Sequence, residues 1–167
     1  MLNKNECFYA LKTKCLVTNE LYDFCLNHKD WYTKTENDKY SFLQCEVPDS
    51  IAKKDTILNI FLKSNKRASI YLMPAWVYYT MHTDTNRSCA INLSLHEYDS
   101  TTFFNVGRFR RNQVHIHELK YEKDTYYLFN TKVKHAVLNK DKDRYIVSIG
   151  FVNSYDELVN KIIANNL

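Results

Sequence analysis

The chain has 167 residues, 45% hydrophobic, 25% charged and 14% aromatic, with a formal charge of +4. That suits one globular domain with its own core, since a chain of roughly 150 residues buries about 68–70% of its unfolded surface, and it excludes a disordered chain. No apolar run approaches the ~20 residues of a membrane helix, and the only glycines, Gly107 and Gly150, lie too far apart to form a P-loop, a dinucleotide fingerprint or a G-x-S-x-G elbow.

Thr18 or Asn19 is expected to cap a short helix over residues 20–28, with Leu21, Phe24, Cys25 and His28 on one face. Residues 39–47 alternate as an extended strand. Asp49 or Ser50, after Pro48, is the start signal of a second helix reaching about Ser64, with Ile51, Ile57, Leu58, Phe61 and Leu62 as its apolar stripe. From Ala68 the pattern changes to eight short runs rich in Val, Ile, Tyr, Phe and Thr, over 69–73, 76–82, 88–95, 101–106, 113–121, 125–130, 135–138 and 144–151. Polar turns such as Thr85-Asn86-Arg87 separate them, and this spacing predicts a barrel or sandwich rather than βαβ units. A closing helix follows, capped by Ser154 with Glu157 at the capping-box position and Leu158, Ile162 and Ile163 on its apolar face. The expected organisation is one domain, 1–167, mainly β with flanking helices: an N-terminal α/β cover over 1–68, a β core over 69–151 and a helix over 154–165.

The five cysteines, Cys7, Cys15, Cys25, Cys45 and Cys89, are odd in number and contain no C-x-x-C pair, so reduced, packed thiols are expected. Lys4, Glu6, Lys12 and Lys14 interrupt any signal-peptide core in the first fifteen residues. A soluble cytoplasmic protein is the expectation. Basic residues are scattered, so nucleic acid is not indicated as a partner, though not excluded.

The chemistry concentrates in the β region. His82 and Asp84 form an H-x-D pair at a strand end, where residues two apart point to the same side, and His135 opens a later strand. Two imidazoles and a carboxylate on one face of an ion leave three positions open, the facial set of non-haem Fe(II) oxygenases. Arg144 follows His135 by nine residues at the start of the last strand, and its planar fork binds a carboxylate through two donors. A purely structural reading has His82 ending a strand, Asp84 making an Asx-turn with Asn86, and Arg144 pairing with Asp143 or Asp141. Strand parity speaks against it. Over 88–95, Cys89, Ile91, Leu93 and Leu95 share one face and Ala90, Asn92 and Ser94 the other; over 144–151, Tyr145, Val147, Ile149 and Phe151 oppose Arg144, Ile146, Ser148 and Gly150. Each strand thus has a large apolar face for packing under helices and a small or polar face suited to a cavity.

On these residues the chain resembles the Fe(II)/2-oxoglutarate-dependent dioxygenase superfamily, whose signature is H-x-D, a distal His and a basic residue about ten positions on. The resemblance covers residues 70–151 and is nearest to small phytanoyl- or prolyl-hydroxylase-like members, including the Tyr79-x-x-His82 spacing of the latter. It implies a double-stranded β-helix, a jelly-roll or cupin-like core. It also implies Fe(II) held by His82, Asp84 and His135, and 2-oxoglutarate whose distal carboxylate meets Arg144. Many relatives carry Ser or Thr two residues after the arginine; here that position is Ile146, and Ser148 is the substitute donor. Asn92 and Tyr79 are the candidates for the proximal carboxylate end. The implied reaction consumes O2 and 2-oxoglutarate and hydroxylates an unactivated C–H bond of an unidentified small molecule or side chain. The alternative is a cupin-like metal- or ligand-binding or sensor domain without turnover.

The remaining polar features carry blander readings. His115 and His117 are read as strand surface or pocket rim, and His28 and His96 as exposed or interfacial. Arg108, Arg110 and Arg111 are read as a solvated turn, with a binding patch for phosphate or an acidic substrate as the alternative, and Trp76–Tyr79 as wall and core.

Overall fold

Alternation along the strands sorts the side chains into two separate interiors. The computed structural model describes residues 2–36, 40–64, 68–96, 101–110 and 113–167. Seven strands, β1 (Phe8–Lys14), β2 (Tyr32–Glu36), β3 (Tyr40–Glu46), β4 (Ser69–Met73), β6 (Cys89–Ser94), β9 (Thr125–Asn130) and β11 (Arg144–Phe151), form one sheet in the order β1-β9-β6-β11-β4-β3-β2. Four more, β5 (Tyr78–His82), β7 (Thr101–Arg110), β8 (Gln113–Lys120) and β10 (His135–Leu138), form a second in the order β5-β10-β7-β8. From β4 to β11 the chain changes sheet at every connection except the β7–β8 hairpin, which makes the core a double-stranded β-helix.

The outer face of the larger sheet lies under α2 (Thr18–Asn27), α3 (Asp49–Ala52), α4 (Thr56–Lys63) and α5 (Tyr155–Ala164). There Ile91, Leu93, Val147 and Ile149 join Leu21, Cys25, Ile57, Leu58 and Ile162 in the main core. Each such side chain contributes about 1.5–3 kcal/mol on burial. The inner faces meet at one end in a second cluster, where Phe8, Tyr127 and Phe129 pack against Phe104, Leu119 and Val133. The short α1 (Lys4–Cys7), closed by a capping box between Asn3 and Glu6, places Cys7 in that cluster. The rest of the space between the sheets is a cavity. No helix among the described residues is long and apolar enough to cross a membrane.

Local chemistry explains where expectation and structure part. α2 begins two residues earlier than expected, at Thr18, which is the first helical residue rather than the cap; Val17 precedes it and no side chain caps the helix. The single helix expected over 49–64 is two. Asp55, between them, caps α4 by accepting the Leu58 N–H through Oδ1 at 2.9 Å, while its Oδ2 accepts the Leu16 N–H at 3.0 Å. Tyr126 also donates to Asp55 Oδ1 at 2.9 Å, so one buried carboxylate ties the helical layer to β9. Trp76 is not wall: it is 77% exposed with φ 62°, and Tyr78 is 53% exposed, leaving Tyr79 as the buried member of that run. The cause is a clamp in which the Asn139 side-chain amide donates to the Met73, Pro74 and Lys142 carbonyls, while Asp143 Oδ1 accepts the Ala75 N–H. β5 therefore starts at Tyr78. Ser154 caps α5 as expected, accepting the Glu157 N–H, but Glu157 pairs with Lys161 and Asn153.

All five cysteines are free and buried. Burial pushes the Cys7, Cys45 and Cys89 thiols up to about 11 and Cys25 up to about 12, so almost no thiolate exists near neutrality. The folded protein is expected to leave a disulfide reagent unreacted at pH 8 and to titrate five thiols once denatured; rapid reaction of the native protein would contradict this packing.

Candidate active site

Three potential ligands come together from two strand ends and one loop. His82 closes β5 and lies directly opposite His135, the first residue of β10. Between that pair and the next, Tyr79 opposite Val137, β5 has two residues where β10 has one. This bulge lets Tyr79 and His82, three apart, both face the cavity. Asp84 lies beyond β5, so strand parity does not aim it. Its N–H donates to the Thr131 carbonyl at 3.1 Å and its carbonyl accepts from Lys132 Nζ at 2.9 Å, which ties the 83–88 segment to the turn that leads into His135. Asp84 is 6% exposed and takes part in no Asx-turn with Asn86; the Asn86 side chain accepts from the Thr85 hydroxyl instead.

The donor atoms converge. Asp84 Oδ1 lies 3.7 Å from His82 Nε2 and 3.6 Å from His135 Nε2, and all three potential ligand atoms fall within 4.8 Å of one another. His82 Nδ1 sits 2.6 Å from the Thr80 carbonyl and His135 Nδ1 2.9 Å from the Val133 carbonyl. A carbonyl only accepts, so each Nδ1 carries the proton and each Nε2 offers its lone pair to the common centre. Donors bound to one ion at about 2.1 Å lie about 3 Å apart, and the two carboxylate–imidazole separations exceed that by less than about 1 Å. The residues present fit a divalent transition metal with imidazole and carboxylate preferences.

His135 is packed against the Phe129 and Phe104 rings, with centroids 4.8 and 6.1 Å away. That burial, with the neighbouring His82 ring, pushes its pKa down to about 4. It is neutral, as a ligand must be.

Arg144 stands across the cavity on β11, 1% exposed, its guanidinium 4.8 Å above the Tyr121 ring. It makes no surface pair with Asp143, whose carboxylate holds the Ala75 N–H. The cavity encloses about 290 Å³ between the sheets, and His82, Asp84, His135, Arg144, Asn92, Tyr79 and Ser148 all line it. Asn92 Oδ1 and Thr102 Oγ1 are buried there without a hydrogen-bond partner among the described residues, which fits a polar, partly charged ligand. Ser148 Oγ accepts from Arg87 Nη1 at 3.0 Å and keeps its own proton as a donor. Arg87, Tyr121 and Thr102 went unread in the sequence. Arg87 reads as part of a polar turn, and neither of the others has a motif; Asp84-x-x-Arg87, an i, i+3 acid–base pair, is the one available signal.

The other histidines lie elsewhere. His115 and His117 are on β8 and do not line the cavity; His117 Nε2 is 3.1 Å from the Leu2 carbonyl. His28 is half-buried between Phe24 and Trp31, and His96 stacks on Tyr22. The backbone of Arg108 and Arg110 continues β7 rather than turning; their side chains, and Arg111, lie outside the described residues.

Because the folded protein keeps His135 neutral at pH values where the unfolded chain protonates it, this group's contribution to the stability of the metal-free protein should be fully present above pH 6.5. Between pH 6.5 and 4 the unfolded state binds the extra proton, and this group alone should remove on the order of 3 kcal/mol. Urea unfolding of the metal-free protein across that range checks it, and His135→Gln should flatten the slope.

No protein-family model matches the sequence, and no curated protein matches it. Solved structures do. A Pseudomonas putida prolyl-4-hydroxylase aligns with a TM-score of 0.62 at 12% identity, over 86% of this chain and 91% of that one. A Trichoplax adhaerens prolyl hydroxylase, solved with a hypoxia inducible factor oxygen degradation domain peptide fragment, gives 0.62 at 12% identity over 92% and 87%. An oxidoreductase of the 2OG-Fe(II) oxygenase family from Burkholderia pseudomallei gives 0.54 at 11% identity over 78% and 76%. The chain has the double-stranded β-helix fold of these oxygenases.

Proposed function

We propose that this protein is an Fe(II)- and 2-oxoglutarate-dependent dioxygenase that hydroxylates an unactivated C–H bond of a small molecule or an exposed side chain. The observation that carries this reading is the joint placement of two Nε2 lone pairs, one carboxylate oxygen and a buried guanidinium around a single cavity in an oxygenase fold. His82, Asp84 and His135 would hold the metal, and Arg144 the distal carboxylate of 2-oxoglutarate. Asn92, Tyr79 and Ser148 are assigned to the cosubstrate pocket. The buried, reduced thiols support a soluble cytoplasmic protein, and residues 69–151 are assigned the chemistry, with 1–68 as cover.

Fe(II) with 2-oxoglutarate supplies O2-dependent oxidation, releasing succinate and carbon dioxide. The chain's own share is binding and orientation. His82 and His135 are held in one tautomer by the Thr80 and Val133 carbonyls, so neither ring must reorient to bind. Phe104 and Phe129 back His135 and keep water from that side of the centre. Arg144, charged at any working pH and stacked on Tyr121, selects a ligand with an anionic far end. Unreacted C–H substrate would enter past Tyr79, Phe42 and Tyr71, whose rings meet at 5.4 and 5.6 Å on the cavity wall.

His82→Ala and Asp84→Ala should abolish Fe(II) binding. Arg144→Ala should retain iron and weaken 2-oxoglutarate about ten- to a hundredfold, the equivalent of a charge-assisted bond of about 1.5–3 kcal/mol. Anaerobic calorimetry and aerobic succinate release check both. Equal iron affinity in all three variants refutes the assignment, and cosubstrate binding with no succinate, even uncoupled, would favour a cupin-like binding or sensor module.

A further inference from the structure

We infer that Arg87 is a positioning residue that turns Asp84 into a one-oxygen ligand, and that Gly150 exists to let it lie there. This rests on the metal-centre reading above. Arg87 Nε–H donates to Asp84 Oδ2 at 2.5 Å, while Asp84 Oδ1 is the oxygen that faces both imidazoles at 3.7 and 3.6 Å. The two oxygens thus have separate tasks. With Oδ2 engaged, the carboxylate cannot rotate to offer both oxygens to one ion, and a further coordination position stays open for exogenous ligands.

The guanidinium is itself held. Arg87 Nη1 donates to Ser148 Oγ at 3.0 Å, and the Arg87 carbonyl accepts from Thr131 Oγ1 at 2.8 Å. Its aliphatic stem runs across β11 at Gly150, where an added Cβ would stand 3.2 Å from Arg87 Cδ. At that separation one side must yield by a few tenths of an ångström, and the yielding group is the one that aims Asp84. Gly150 has an ordinary backbone conformation, since Gly107 is the only glycine with positive φ. Its value is therefore space, not conformational freedom. The small face of β11 accordingly serves the metal centre through Arg87 as well as the cavity through Arg144.

The test uses Co(II) as the probe, titrated into the full chain and followed by its visible ligand-field bands, with melting of the metal-free protein alongside. Arg87→Ala should bind Co(II) about ten- to a hundredfold more weakly and with altered bands. Arg87→Lys should recover part of the affinity, and Gly150→Ala, which keeps every charge, should shift the bands with a smaller loss. Wild-type affinity and bands in both Arg87→Ala and Gly150→Ala overturn the inference while leaving the metal centre intact, and so does a lowered melting temperature with unchanged bands. Should Arg87→Ala not fold, Gly150→Ala decides. If the wild-type protein binds no Co(II) and no Fe(II), the metal-centre reading and this inference fall together.

Discussion

β6 is buried on both faces and β11 is so over Ile146–Ile149, and the two faces meet different surroundings. Outward, Ile91, Leu93, Val147 and Ile149 pack beneath the helices. Inward, Asn92, Arg144, Ile146, Ser148 and Gly150 border a cavity that must hold polar and charged groups. A period of two lets one strand serve both, but only in one register, because a slip by one residue would put Arg144 among aliphatic side chains and Val147 into the cavity. The antiparallel pairing of Ser148 with Asn92 on one side and Ser69 on the other fixes that register. Most of the remaining architecture is the covering this sandwich requires.

The metal ligands obey a different constraint. They sit where strands end, and local hydrogen bonds rather than the ladder settle their direction. The bulge in β5 re-aims His82, whose Nδ1 proton then meets the carbonyl of Thr80, itself part of the bulge. Thr131 accepts from the Asp84 backbone and donates to the Arg87 carbonyl, so a single residue joins the loop bearing the acid to the turn before His135. The three ligands are thus joined to one another by ladder pairing and by hydrogen bonds through Thr131, none of which involves the helices outside.

This division accounts for what could be read from the chain beforehand. Strand parity gives the inner and outer faces of β6 and β11 directly, because both are long enough for the pattern to repeat. His82, Asp84, His135 and Arg144 stand at readable spacings, and the structure brings them to one cavity. The aim of Asp84 was misread as strand parity, since a bulge and a loop leave no periodic trace. Arg87 was lost for the same reason: its contacts with Asp84 and Ser148 span three and sixty-one positions, and only the second involves another element. β1 and β2 escaped because Lys12, Lys14 and Lys34 dilute their apolar pattern, as charged residues commonly do on the edge strands of a sheet. The break between α3 and α4 was hidden by Ile51 and Ile57, which both face the core and mimic one continuous stripe.

The aromatic cluster at the closed end links packing to chemistry. Phe8, Phe104, Tyr127 and Phe129 come from both sheets, and Phe104 and Phe129 stack at 4.7 Å between centroids. They set how far apart the sheets stand, and hence how far the ligands on the smaller sheet lie from Arg144 on the larger one. The same rings enclose His135 and depress its pKa, since an imidazolium in that setting would lose hydration without gaining a full counter-charge. Asp84 offsets this only in part, because its charge is shared with Arg87 at Oδ2 and burial of the ring outweighs it. A divalent ion can therefore take the centre without displacing a proton from His135.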